Sequence, residues 1–123
     1  MSARFAQNLI AAVFLGLGAW CLVFPALIVA LAFRPAFHSD APLVPILVAC
    51  FGAQAMLVGL LAATARFTRQ SFLVLGLALL PFLVFDWYFY WVVPLLTPFG
   101  MLDLLGNLAM LALCWQGWRG AAA

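Results

Sequence analysis

The sequence has no lysine and no glutamate, and its charge comes to five arginines and three aspartates in 123 residues. A water-soluble domain spends about a quarter of its residues on charge, because its core needs a solvated cover. Here the charged share is 7% against 70% hydrophobic, so a soluble globular domain is excluded. The chain needs an apolar solvent outside it as well as a core within, and that solvent is lipid.

Other absences narrow the reading further. The arginines stand apart along the chain at positions 4, 34, 66, 69 and 119, which leaves no sequence patch for nucleic acid. The three cysteines, Cys21, Cys50 and Cys114, are isolated in apolar runs with no metal-ligand spacing, and they read as small buried hydrophobes. His38 is the sole histidine and sits in a connection, so neither a haem nor a histidine-held metal is expected. No serine or cysteine lies near a base for nucleophilic chemistry, and there is no glycine-rich phosphate loop. No cofactor is implied. Polar and apolar residues do not alternate, which argues against a β-barrel.

What is present is a set of long apolar runs. Four spans are expected, about 5–33, 42–65, 71–93 and 98–118, each beyond the ~20 residues that cross ~30 Å of hydrocarbon as a helix. The first could be taken for a signal peptide ending at Ala30-Leu31-Ala32, but its apolar stretch exceeds the roughly 7–15 residues of a signal core. It reads as a retained anchor. The connections are short and carry helix-start signals: Ser39 or Asp40 before Pro42, Thr68 or Ser71, and Thr97 before Pro98. Short connections make neighbours antiparallel, so the expected fold is all-α: one domain over 1–123, an integral membrane four-helix bundle running up-down-up-down.

Orientation follows from the arginines. With four spans, Arg4, Arg66, Arg69 and Arg119 fall on one side and Arg34 on the other, which puts both termini in the cytoplasm of a cell (inner) membrane. Trp87, Tyr88, Tyr90 and Trp91 then mark the outer interface, and Trp115 and Trp118 the inner one. Ala55, Gly59 and Ala63 form a small-residue stripe on the second span, with Ala12 and Gly16 matching it on the first. Pro81 is expected to bend the third span.

The chemistry sits in the few polar residues within the oil. Asp86 lies ~22 Å up the third span and Asp103 about one and a half turns down the fourth, so both reach nearly the same depth in the outer half. Asn107 stands one turn below Asp103, and Gln54 lies ~18 Å along the second span. An acid at a helix centre costs ~2.5–3.5 kcal/mol on insertion scales, so two of them imply a polar cavity, a partner, or each other. The bland alternative is separate satisfaction: Asp103 near its helix start, Asp86 reaching interfacial water, and the amides bonding across helices.

The basic N-terminus, the four spans, "FGAQAMLVGLLAATAR" in the second and "FDWYFYW" in the third resemble the small four-helix bacterial membrane proteins of DoxX-like type. Phe51-Gly52 and Arg66 also resemble, loosely, the ergosterol-biosynthesis scaffold family, though Ala53 and Gln54 stand where that pattern has tryptophan and threonine. Small multidrug transporters need a glutamate in their first span, which is missing here. Neither resemblance supplies a catalytic residue.

The functional expectation is a non-enzymatic multi-pass protein in the lipid bilayer. It would bind an amphiphilic small molecule, or a partner membrane protein, through an outer-half site between the third and fourth spans. Asp86, Asp103, Asn107 and Gln54 would form the floor, Tyr88 and Tyr90 would add hydroxyls, and Trp87 and Trp91 would complete an aromatic rim. The alternatives are a small proton-coupled transporter, plausible as an oligomer, with the acid pair as carrier, and an intramembrane isomerase acting on sterol-like lipids.

Overall fold

A computed structural model describes residues 1–122; Ala123, the last of the three closing alanines, lies outside the described residues. The described chain is all-helical: α1 Ala3–Val23, α2 Pro25–Ala32, α3 Leu43–Thr64, α4 Arg69–Trp87 and α5 Leu102–Gly120. Three segments, Ala3–Val23, Leu43–Thr64 and Arg69–Val92, are long and apolar enough to cross a membrane. The expected fourth, now α5, is not among them, because Asp103, Asn107, Gln116 and Arg119 make it more polar. Leu57, Leu61, Leu73, Leu77 and Val84 are each half or more exposed, as side chains facing lipid would be.

The expected first span, 5–33, is two helices. Pro25 lacks an N–H and disfavours helical geometry in the residue before it, so Phe24 leaves the helix at φ −125°, ψ 54°. Pro25 then opens α2, where a missing donor costs nothing. The end of α2 is clasped by the connection into α5. Arg34 N–H donates to the Leu95 carbonyl at 2.8 Å, Thr97 N–H to that of Ala32 at 2.8 Å, and the Arg34 Nε to that of Leu96 at 2.8 Å.

Helix starts depart from expectation where proline intervenes. Neither Ser39 nor Asp40 caps α3, whose N-cap is Pro42. A capping side chain serves the N–H of the second or third helical residue, and here the third is Pro45, which has none. Ser39 instead accepts from the Ala41 N–H at 3.2 Å. Thr68 does cap α4, in a reciprocal box with Ser71. Thr97 accepts from the Gly100 N–H at 3.1 Å, which closes a turn, and α5 starts only at Leu102. Helix α4 passes through Pro81 unbroken; the departure from α geometry comes at Tyr88–Val92, a π segment closed by the Val93 N–H on the Tyr88 carbonyl at 2.9 Å.

Helices α1 and α3 pack closely and antiparallel. A Cβ added to Gly18 would stand 2.7 Å from the Gly52 carbonyl oxygen, and one on Gly59 would stand 2.8 Å from Leu15 Cγ. The buried face of α3 is Gly52, Ala55, Gly59 and Ala62, so the expected stripe holds at Ala55 and Gly59 and moves to Ala62 from Ala63. On α1 the buried small residues are Ala6, Ala11 and Gly18, whereas Ala12 and Gly16 are exposed. Helix α1 carries small residues on several sides, so spacing alone could not select the face. Cys50 is exposed, unlike Cys21 and Cys114.

Helix α5 runs antiparallel to α4 and also lies along α1. The Phe72 ring covers Gly117, Gly76 faces Cys114, and Trp20 meets Phe99 edge-on at 5.7 Å. Ala6 and Ile10 of α1, Phe72 and Leu79 of α4, and Met110 and Cys114 of α5 form the buried core. Gly120 lies beside Met1 and Ala3, so both ends of the chain gather with the α3–α4 connection at one end of the molecule. Asp86 and Asp103 lie toward the other.

Candidate functional site

Asn107 is the hinge of the polar cluster. Its Nδ2 donates to Asp86 Oδ2 at 3.1 Å, across from α5 to α4, and to Asp103 Oδ2 at 3.2 Å, one turn back on its own helix. A carboxamide nitrogen has two hydrogens, and both are spent on carboxylates. Asp86 and Asn107 are buried at 6% and 4% exposure, too deep for water at the rim to satisfy them. The three residues expected to converge therefore do so. Asp103 also stands in the first turn of α5, where the helix dipole favours an acid.

Two cavities flank the cluster. One, of about 340 Å³, is bordered by Asp86 and Asp103 and otherwise walled by apolar groups, among them Trp20, Cys21, Ile28, Phe51 and Phe99. The other, of about 440 Å³, is bordered by Gln54, Asp103, Asn107 and apolar side chains of all four long helices. Leu17, Phe51 and Asp103 line both, so the polar cluster sits where they adjoin. Leu47 and Phe51, at 57% and 44% exposure, put the smaller cavity beside the exposed apolar side of α3.

The cavity beside the two acids is not a simple crevice between α4 and α5. Helix α4 contributes Asp86 alone, and most of the wall comes from α1, α2, α3 and the segment entering α5. The break at Pro25 builds it, because it lets Ile28, Ala32 and Phe33 turn toward the acids. Sequence reasoning missed this wall; the proline after Phe24 was the signal that could have found it.

The remaining expected residues divide. Gln54 reaches the second cavity but makes no hydrogen bond to the cluster among the described residues. Trp87, Tyr88 and Trp91 are exposed and border neither cavity. Tyr90 lies under the Arg34 guanidinium, 5.4 Å from its ring centroid, and so helps anchor the clasp on α2.

One buried polar residue went unanticipated. Gln7, 2% exposed, donates to the Ala62 and Ala65 carbonyls at 2.5 and 2.7 Å and accepts from the Phe67 N–H at 3.2 Å. It ties α1 to the C-terminal end of α3 and to the connection beyond. This is a structural role, far from the acids. Among the described residues no group of three metal-ligating side chains comes together.

Compared with protein-family models, with curated proteins and with solved structures, the chain matches none. The site's own geometry therefore carries the functional reading.

Proposed function

We propose that this chain is a non-enzymatic, multi-pass protein of the cell membrane that binds a small amphiphile with a cationic head. The head would sit against Asp86 and Asp103, and the apolar part would fill the cavity walled by Trp20, Phe51 and Phe99. One observation carries the reading: the buried Asp86 and the half-buried Asp103 border an apolar cavity, yet none of the five arginines lines either cavity beside them. Asn107 gives each acid one donor but no charge, and ionised acids in apolar surroundings are expensive unless a cation meets them.

The wider architecture in this proposal is a four-helix up-down-up-down bundle with both termini cytoplasmic. Its support is the antiparallel pairing of α1 with α3 and of α4 with α5, together with Arg4, Arg66 and Arg69 at the end shared by the termini. Reporters fused to each terminus should both read cytoplasmic; opposite sides would remove the four-span topology.

Thermal unfolding in a neutral detergent tests the site, with decylammonium as the cationic probe and decanol as its uncharged control. At a hundredfold excess over its dissociation constant, a ligand of the folded state contributes about 2.7 kcal/mol. Decylammonium should raise the midpoint of the native protein, decanol should do so less, and Asp86→Asn/Asp103→Asn should remove the difference. An equal shift in the double variant would end the assignment of the acids to a ligand site.

A further inference from the structure

At the end opposite the acids, the fold assembles what the sequence scatters. Arg4, Arg66 and Arg69 line one cavity of about 630 Å³ between the start of α1, the α3–α4 connection and the chain's final turn. No acid lines it.

The arginines are held in different ways. Arg4 spends its two terminal nitrogens on the Ala65 and Ala63 carbonyls, at 3.1 and 3.3 Å, which fixes its charge at the edge of the cavity. Arg69 lies over Trp118, 4.0 Å from the ring centroid, and Trp118 stacks on Trp115 at 5.2 Å. The ring holds the guanidinium in place, and the Arg69 Nε is buried with no hydrogen-bond partner among the described residues. Arg66 is exposed. Among the described residues neither Arg66 nor Arg69 forms a side-chain hydrogen bond.

The backbone adds to the positive field. The cavity meets the first residues of α4, where Thr68 and Ser71 cap each other and the Phe72 N–H reaches the Thr68 carbonyl at 3.2 Å. The N–H groups of Arg69 and Gln70 have no partner among the described residues, and both residues line the cavity. Two open amide donors at a helix start, in a cavity that three arginines line, suit a tetrahedral anion.

We infer that this cavity binds an anionic phosphate group, presented in the membrane by a lipid headgroup or in solution by free phosphate. Its place at the arginine-rich end, among helices with lipid-facing flanks, is where a headgroup would lie. The site is independent of the acid pair and does not rest on the ligand proposed there.

Native mass spectrometry of the full chain, released from bilayers of mixed phosphatidylglycerol and phosphatidylcholine, tests the lipid source. Thermal unfolding in neutral detergent with inorganic phosphate, against chloride at equal ionic strength, tests the soluble one. Arg66→Gln changes only an exposed side chain, and Arg66→Gln/Arg69→Gln removes both cations that make no side-chain hydrogen bond. Arg119→Gln is the control, a cation near the same end that does not line the cavity. Retained phosphatidylglycerol, at least about tenfold reduced in the double variant and in part by Arg66→Gln, supports a headgroup site. A phosphate-specific midpoint shift lost in the same variants supports a free-phosphate site. Retention and shift that match the native protein in both variants, or that fall as far in Arg119→Gln, overturn the inference.

Discussion

The side-chain amide of Asn107 and the carboxyl of Asp86 meet at 3.1 Å from facing helices, in a part of the molecule where almost every other side chain is hydrocarbon. Because the same nitrogen also reaches Asp103, one residue holds two acids in register. That arrangement turns two separately costly groups into a single polar feature, and it sets the energetics of the site.

Removing the amide should therefore cost more than one hydrogen bond. Asn107→Ala leaves the buried Asp86 and the half-buried Asp103 without their donor; a buried unsatisfied group costs about 1–3 kcal/mol, and the half-buried one less. Asp86→Ala alone should be milder, since Asn107 keeps Asp103. In a double-mutant cycle between Asp86 and Asn107, unfolding in mixed micelles should give a coupling near the ~0.6–1.7 kcal/mol seen for interhelical pairs in membranes. Additive losses would mean that the bond holds nothing together.

The contact of α1 with α3 gives a sharper prediction, because two glycines on one helix should behave oppositely. A Cβ on Gly18 would press within 2.7 Å of both the Gly52 oxygen and the Met56 nitrogen, which are backbone atoms and cannot swing aside. A Cβ on Gly16 meets nothing within 4 Å. Gly18→Ala should destabilise by about 1–3 kcal/mol, the usual cost of overpacking. Gly16→Ala should be neutral or mildly stabilising, as a helix gains from losing glycine. Comparing their thermal midpoints checks the register directly.

Much of this was legible from the residues alone, and what was missed has identifiable causes. Asp86, Asp103 and Asn107 could be brought together on paper because helical rise converts sequence distance to depth, and depth is what a membrane constrains. The face each helix turns inward was harder, since α1 is apolar on every side and its small residues do not single out Gly18 over Gly16. Pro25 was visible but was absorbed into one long apolar run, so α2 and the wall it gives the cavity went unseen. Arginine counting puts Arg4, Arg66 and Arg69 on one side of the membrane, but the cavity they share exists only once α1 and α3 have packed.

Gln7 tests whether a polar residue missed in the sequence matters to the fold. Its side chain, 2% exposed, satisfies two carbonyls near the end of α3 and one N–H of the connection. Gln7→Leu keeps the volume and strands the Ala62 carbonyl and the Phe67 N–H, while the Ala65 carbonyl keeps Arg4, so it should lose about 1–3 kcal/mol per stranded group. Hydrogen exchange should show the loss first at Phe67, whose N–H it accepts. Protection of that amide unchanged in Gln7→Leu would show that the connection is held by something else.

The three cysteines offer a test of the cavity that needs no knowledge of its natural ligand. Cys50 is exposed on α3, whereas Cys21 and Cys114 are each 3% exposed, and they differ in what lies beside them. Cys21 borders the 340 Å³ cavity with Asp86 and Asp103, and Cys114 is packed in the core against Phe72 and Met110. In neutral detergent a small uncharged reagent such as N-ethylmaleimide should modify Cys50 first, Cys21 more slowly by way of the cavity, and Cys114 only on unfolding. Decylammonium should slow Cys21 several-fold and leave Cys50 unaffected, because only Cys21 shares its space. Peptide mass mapping over a time course reads all three rates in one sample. Cys114 reacting ahead of Cys21, or protection of Cys50 equal to that of Cys21, would mean that the space beside the acids is closed to small molecules.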